Sequence, residues 1–193
     1  MTRDEVLEVF RQCGAILDGH FILSSGLRSP TFIQKARVFM HADKTELLCA
    51  ALAQKIADAD LGKIDYVVGP AVGGIIPAYE VSRHLKVPNV WVEREDGKFQ
   101  LRRFEMEPGS RVVIIEDIVT TGLSIRETIN SLQEIGAEVL AASCLIDRSA
   151  GKSDIGAKLI ALAEYEVPAY EPENIPPELA AIPPVKPGSR GLK

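Results

Sequence analysis

Arg111-Val-Val-Ile-Ile-Glu-Asp-Ile-Val-Thr-Thr-Gly-Leu-Ser124 decides how the rest of this chain is read. The β-branched run Val112 to Ile115 predicts one strand buried on both faces, because an apolar run without alternation has no solvent side. Glu116 and Asp117 follow where that strand is expected to end. Thr120, Thr121, Gly122 and Ser124 form a small hydroxyl-rich turn, and Ile125 to Ile135 has a helical pattern. A helix N-terminus presents unpaired N–H groups and the positive end of a dipole, so this turn suits a phosphate. Gly122 lets backbone approach an anion, the hydroxyls add donors, and the two acids can accept hydrogen bonds from sugar hydroxyls. Spacing alone is met equally by a buried strand with an acidic end and an ordinary capped helix.

Working outward, strands and helices alternate. Tyr66-Val67-Val68 is a predicted strand, Gly69-Pro70-Ala71-Val72-Gly73-Gly74 its following loop, and Ile75 to Leu85 a helix. Val90-Trp91-Val92, Val112 to Ile115, Val139 to Ile146 and an edge strand at Leu159 to Leu162 complete the series. Alternation of this kind predicts an α/β fold, with a central, mainly parallel sheet and helices on both faces. Ligands in such folds bind beyond the carboxyl ends of the strands, so the loops after Val68, Val92, Ile115 and Ile146 should share one crevice.

Before the sheet, Thr2 and Glu5 form a capping-box pattern ahead of the apolar stripe Val6, Leu7, Val9 and Phe10. Phe21 to Leu23 and Ser29 to Ile33 read as two short strands of a flap. Asp43 opens a helix to about Ala59, with Leu47, Leu48, Ala51, Leu52 and Ile56 on one face. Beyond Glu166 the chain turns proline-rich and reads as an irregular tail, draped over the domain or partly disordered, with little chemistry of its own. The expected division is therefore 1–40, helix and flap; 41–166, core; and 167–193, tail.

Composition excludes several classes. At 193 residues, 46% hydrophobic and 25% charged, the chain has an ordinary globular balance. A net charge of −5 argues against a general nucleic-acid binder. No run is long enough for a membrane span, and the first residues lack a signal peptide's apolar core. Cys13, Cys49 and Cys144 are scattered, which predicts reduced, buried thiols of a cytoplasmic protein. His20, His41 and His84 are equally dispersed, against a His-built metal site.

Ile115-Glu116-Asp117-Ile118-Val119-Thr120-Thr121-Gly122 resembles the phosphoribosyl pyrophosphate (PRPP) signature of type I phosphoribosyltransferases. No Gly-Lys-Ser/Thr follows, so it is not the loop of nucleotide triphosphatases. Gly19-His20-Phe21-Ile22-Leu23-Ser24-Ser25-Gly26 and Ser29-Pro30-Thr31-Phe32 are similar to a stretch near the N-terminus of orotate phosphoribosyltransferases, and Asp147-Arg148 matches that family's Asp-Arg. The resemblance runs from about His20 to Arg148, with a looser match through Glu166-Val167-Pro168.

The resemblance implies an enzyme, a pentosyl glycosyltransferase of pyrimidine biosynthesis. It would move 5-phosphoribosyl from PRPP to orotate, with Mg²⁺ bound through PRPP, as a homodimer. It implies PRPP contacts from Glu116, Asp117, Ile118, Val119, Thr120, Thr121, Gly122, Leu123 and Ser124, and from Ala71, Val72 and Gly73 in the glycine loop. Taken alone, that loop reads first as a plain tight turn. Orotate contacts are implied for Thr120, Arg148 and Phe32, although Arg148 could instead pair with Asp147 or Asp154. Glu93 to Arg103 alternates Phe99 and Leu101 with charge and predicts a hairpin or flap around Asp96-Gly97. Charge clusters are usually solvated faces, but in the family a mobile loop here closes over PRPP, in some members from the neighbouring subunit. Arg94 and Lys98 are the matches, with Arg102 and Arg103 in reserve, and Lys98 joins Glu116 and Asp117 as a catalytic candidate. Two family features are absent: a basic residue where Ser24 stands, and a Tyr-Lys pair where Val72-Gly73 stands. Two other readings share the signature, a purine phosphoribosyltransferase and a non-catalytic PRPP-binding regulator.

Overall fold

The computed structural model describes residues 1–23 and 25–187. The expectations at Ser24 and for the last six positions of the tail lie outside these residues. The chain runs α1 (Arg3–Gln12), β1 (Ile16–Ile22), β2 (Arg28–Ile33), a 3₁₀ turn (Lys35–Met40), α2 (Ala42–Ala57), β3 (Tyr66–Pro70) and α3 (Ile75–Leu85). It continues with β4 (Asn89–Glu95), β5 (Lys98–Gln100), β6 (Arg111–Val119), α4 (Leu123–Glu134), β7 (Glu138–Asp147), β8 (Leu159–Glu164) and α5 (Pro177–Ala180). Six strands form one sheet in the order β5-β4-β3-β6-β7-β8, and β1 pairs with β2 in a separate antiparallel hairpin. Only β5 runs antiparallel to its neighbour in the larger sheet; the other four pairings are parallel.

Strand alternation sorts the core into two layers. Val67, Val113, Ile115, Ala141 and Leu145 pack with Leu48, Leu52 and Ile56 of α2 and with Ala78 and Val81 of α3. Val68, Val112, Ile114, Ala142 and Cys144 pack on the other face with Ile125, Ile129 and Leu132 of α4. The connection through α3 carries the chain from β3 outward to β4, while α4 carries it from β6 outward to β7. The strand order thus reverses between β3 and β6, and the loops leaving these two strands open a crevice there.

Three sequence expectations change. The strand of the signature stretch does not stop at Ile115, because parallel pairing to β7 continues through Glu116↔Cys144, Ile118↔Ile146 and Val119↔Asp147. Both acids lie within β6 and are buried, Glu116 at 8% and Asp117 at 1% exposure. On α2, Leu47 is exposed, and the buried face comprises Thr45, Leu48, Cys49, Leu52, Ala53 and Ile56. The tail also has a structural task. Tyr170 and Arg28 exchange backbone hydrogen bonds, both 2.8 Å, as do Val185 and the His20–Ile22 segment, also 2.8 Å. The His20 ring nitrogen Nδ1 lies 2.9 Å from the Ile182 carbonyl. The tail therefore flanks both edges of the β1–β2 hairpin, satisfying groups that edge strands leave unpaired.

The first flap strand starts earlier than expected, running Ile16–Ile22 rather than Phe21 to Leu23, because its pairing with β2 extends back to Ile16↔Ile33. Several other local expectations are met. Thr2 and Glu5 make both hydrogen bonds of the capping box on α1. Asp96 and Gly97 take positive φ, 50° and 83°, and turn β4 into β5. Cys13, Cys49 and Cys144 are free and buried. No helix among the described residues is long and apolar enough to cross a membrane.

Candidate active site

Because adjacent residues of a strand face opposite sides, β6 aims its two carboxylates at different parts of the crevice. Glu116 faces the α4 side and lines a cavity of about 250 Å³ formed with Ile118, Val119, Thr120, Thr121, Gly122, Leu123, Ser124 and Ile125. Gly122 holds a left-handed conformation, φ 73°, from which α4 starts. A β-carbon there would press into Ile155, so a side chain is excluded on steric as well as conformational grounds. Arg126 braces the loop by donating to the Thr121 carbonyl at 2.9 Å and the Asp154 carbonyl at 2.7 Å. The first-turn amides of α4 and the hydroxyls of Thr120, Thr121 and Ser124 converge here into an anion cradle.

Asp117 faces the other way, toward the loop that follows β3. Its Oδ1 accepts from the Lys35 ammonium at 2.7 Å and from the Ile118 amide at 2.6 Å. Its Oδ2 is buried and has no partner. Gly73 lies directly opposite: a β-carbon built on it would collide with Oδ2 and approach Lys35 Nζ at 3.2 Å. The glycine loop thus brings bare backbone against a buried carboxylate. Burial, and next the charge of Asp117, push the Glu116 carboxyl up to about 8.

Arg148 follows Asp147 at the end of β7. Asp147 is not its partner, since Asp147 Oδ1 accepts from the Ser149 amide at 2.7 Å. Arg148 Nε is buried without a partner, and desolvation lowers the guanidinium's pKa. An orphaned, desolvated guanidinium favours a planar anion that can supply the missing acceptors. Phe32, half-buried on β2, stacks obliquely on Phe21 with ring centroids 5.8 Å apart. Arg28, on the same face of β2 by alternation, also has Nε and Nη1 buried without partners.

Within the single chain, the hairpin does not join this crevice. Arg94 forms an ion pair with Glu127 of α4 and stacks over Phe99, 4.2 Å from its centroid. Lys98 borders a different cavity with Glu127, Asn130, Ser131 and Glu134, along the later turns of α4. Arg102 pairs with Glu93 and Glu95, and Arg103 with Glu93. Lys35 and Arg28 were not singled out from sequence. Arg28 opens β2 and Lys35 opens the 3₁₀ turn after it, and only the docking of the β1–β2 hairpin on the sheet reveals their positions.

Cavity size does not mark the site. A groove of about 590 Å³ lies between the end of α2 and β8, where Lys55 already donates to the Ala161 and Leu162 carbonyls, both at 3.0 Å. Glu46, Glu80 and His84 bring ligand atoms within 4.8 Å of one another, but Arg83 bridges both acids at 2.7 Å and supplies their counter-charge. The crevice itself has few protein oxygens for a metal cage. A hydrated Mg²⁺ carried by a polyphosphate fits it, because the orphaned Asp117 Oδ2 can accept from a metal-bound water.

Residues 40–169 match the phosphoribosyl transferase domain. Over its full length and theirs, the chain is 72% identical to the orotate phosphoribosyltransferase of Brucella anthropi and 73% identical to orotate phosphoribosyltransferase 2 of Mesorhizobium japonicum. Among solved structures, the orotate phosphoribosyltransferase of Aeropyrum pernix superposes with a TM-score of 0.69 at 28% identity, covering 82% of this chain and 93% of its own. Adenine phosphoribosyltransferase of Saccharomyces cerevisiae shares the fold, with a TM-score of 0.64 at 19% identity, covering 81% and 99%. The chain belongs to the phosphoribosyl transferase family, on its orotate phosphoribosyltransferase branch.

Proposed function

We infer that the chain transfers the 5-phosphoribosyl group of PRPP to N1 of orotate, giving orotidine 5′-monophosphate and pyrophosphate, in pyrimidine biosynthesis. The observation that carries the reading is the crevice between β3 and β6. There an anion cradle at 120–124, a buried carboxylate with a free oxygen at Asp117 and the bare loop at Gly73 adjoin one another. The fold alone does not choose the base, because an adenine enzyme shares it; the full-length identity to orotate enzymes does.

In the mechanism, the anomeric C1–O bond to pyrophosphate breaks as the bond to orotate N1 forms, and the N1 proton passes to a pyrophosphate oxygen or to water. Positive charge develops on the ribose as in glycoside chemistry, and no protein nucleophile is required. Catalysis is then chiefly positioning and electrostatics. Thr120, Thr121, Gly122, Leu123 and Ser124 hold the 5-phosphate, with Ile118 and Val119 shaping the wall behind it. Glu116 and Asp117 engage the ribose hydroxyls, and Asp117 stands nearest the developing cation. Ala71, Val72 and Gly73 offer backbone to the pyrophosphoryl group. Arg148, Thr120 and Phe32 orient orotate: Arg148 through a carboxylate or carbonyl edge, Phe32 through its ring. Asp117 Oδ2 would receive a water of a Mg²⁺ carried by PRPP, an ion that would supply charge neutralisation to the leaving group.

Residues 1–40 form the hood over the base, 41–166 the catalytic core, and 167–193 a tail bracing the hood. The working unit is a homodimer in the cytoplasm. Val72, Ile76 and Tyr79 at and after the glycine loop expose large apolar side chains, as do Met40 and Leu47. The hairpin's distance from its own crevice supports delivery of Lys98 and Arg94 to the partner's pyrophosphate. Reduced, buried cysteines support the compartment.

The test follows the ultraviolet band of orotate mixed with protein, PRPP and Mg²⁺. The expected result is a PRPP-dependent loss of the band, abolished by chelating the metal or by Asp117→Asn. An unchanged band beside clear PRPP binding overturns the orotate assignment.

A further inference from the structure

The crevice presents an electrostatic puzzle. PRPP carries a pyrophosphoryl group dense in negative charge, yet the side chain that β6 turns toward the glycine loop is the buried Asp117 carboxylate. The loop from Ala71 to Gly74 carries no charged side chain. Arg94 is held by Glu127, and Lys98 lies along the later turns of α4. Arg148 is at the base end of the site, following β7. Among the described residues, the cation at the glycine loop is Lys35, in the first turn after β2.

Lys35 has the geometry for a mobile role. Its ammonium lies 2.7 Å from Asp117 Oδ1 while 45% of its side chain remains exposed, so it approaches the carboxylate from the solvent side. The β-carbon direction of Gly73 points at the same ammonium, 3.2 Å away. A glycine is therefore what leaves Lys35 room beside the loop. Asp117 does not depend on Lys35 alone, because the Ile118 amide donates to the same Oδ1 at 2.6 Å. If the ammonium moves, that oxygen keeps a donor. A lysine suits such an exchange better than an arginine, being a compact charge on a flexible stem.

We propose that Lys35 is a pyrophosphate-binding residue, whose ammonium exchanges Asp117 for the pyrophosphoryl end of PRPP and releases that carboxylate to the ribose hydroxyls. The proposal rests on the reading that PRPP lies with its pyrophosphoryl end at the glycine loop. In the empty site, Lys35 and Asp117 neutralise each other. With PRPP bound, the ammonium faces the phosphate oxygens, and Asp117 turns its acceptors to the sugar. When pyrophosphate leaves, Lys35 returns to Asp117, which keeps a charge-matched resting state for the next cycle.

The experiment compares wild type with Lys35→Ala, Lys35→Gln and Lys35→Arg. Lys35→Gln guards against misfolding, since its amide can still donate to Asp117. Calorimetry measures binding of inorganic pyrophosphate with Mg²⁺ and, separately, of orotidine 5′-monophosphate; steady-state assays give KM for PRPP and for orotate. The expected result is an increase of about tenfold in the pyrophosphate Kd and the PRPP KM for Ala and Gln. Orotidine 5′-monophosphate affinity and orotate KM stay within about twofold, and Lys35→Arg restores most of the loss. Equal losses for pyrophosphate and orotidine 5′-monophosphate would make Lys35 only a support for Asp117 and overturn the proposal. Unchanged pyrophosphate binding in Lys35→Ala would overturn it as well. If wild type itself binds neither compound, the functional reading fails rather than the role of Lys35.

Discussion

Gly73 and the Asp117 carboxylate are packed so closely that a β-carbon at Gly73 falls inside van der Waals distance of Oδ2. The contact joins the loop after β3 to the carboxyl-terminal part of β6, across the switch in strand order. It fixes the separation between the loop after β3 and the buried acid of β6. Gly73→Ala must therefore displace either the loop or the carboxylate. Because small misplacements of reacting groups are costly, kcat/KM is expected to fall by about a hundredfold. Asp117 is held by Lys35 and the Ile118 amide, so the loop should yield and the melting temperature should change little. Steady-state kinetics beside a thermal melt check both halves; an unchanged kcat/KM would show that the contact is not rate-determining.

Arg148 offers an orphaned guanidinium edge at the base end of the crevice. Arg148→Ala is expected to raise the orotate KM by about tenfold or more while leaving pyrophosphate affinity near that of wild type. Arg148 Nε has no partner among the described residues, so its removal strands no acceptor there, and the fold should persist. Equal loss of both affinities would point to a collapsed crevice instead.

Glu116 couples stability to pH with an unusual sign for an acid. Burial raises its folded pKa from 4.5 to about 8, so the folded state binds more protons than the unfolded chain across that interval. Unfolding free energy from this group therefore falls as pH rises from about 4.5 to about 8, and levels off above. Glu116→Gln removes the dependence, and its melting temperature should gain on wild type as pH rises through the window. Melts between acid and mildly alkaline pH decide it; parallel curves for both proteins would contradict the assignment.

The tail braces the hood through Tyr170, Ile182 and Val185. A chain ending at Val167 should keep the sheet, whose strands end at Glu164, but leave both edges of the β1–β2 hairpin unpaired. The expected outcome is retained far-ultraviolet dichroism, with an orotate KM raised by about tenfold. A truncated protein with wild-type kinetics would assign the tail no part in holding the hood.

Much of the architecture is legible along the chain because local forces write it there. The capping box at Thr2 and Glu5, the Asp96-Gly97 turn and the apolar runs of β3, β6 and β7 each follow from short-range chemistry. Where reading by hydropathy fell short, a neighbouring element supplied the reason. β6 runs through Glu116 and Asp117 because β7 keeps pairing with it, which hydropathy cannot foresee. The outward turn of Leu47 reflects how α2 seats on the sheet, which its own apolar content leaves open.

The candidate site divides in the same way. By itself the sequence determined the strand, acid pair, phosphate turn and helix of the signature, since these are contiguous and depend on backbone geometry at one strand end. Tertiary structure alone decided that Glu116 and Asp117 look to opposite sides, that Gly73 rests on Asp117, and that Lys35 reaches the same carboxylate from the hood. It also decided that Arg94 and Lys98 lie along α4 rather than over their own crevice. These relationships join residues far apart in the chain, and their energies arise only when burial strips water from the charges and close packing fixes which group faces which.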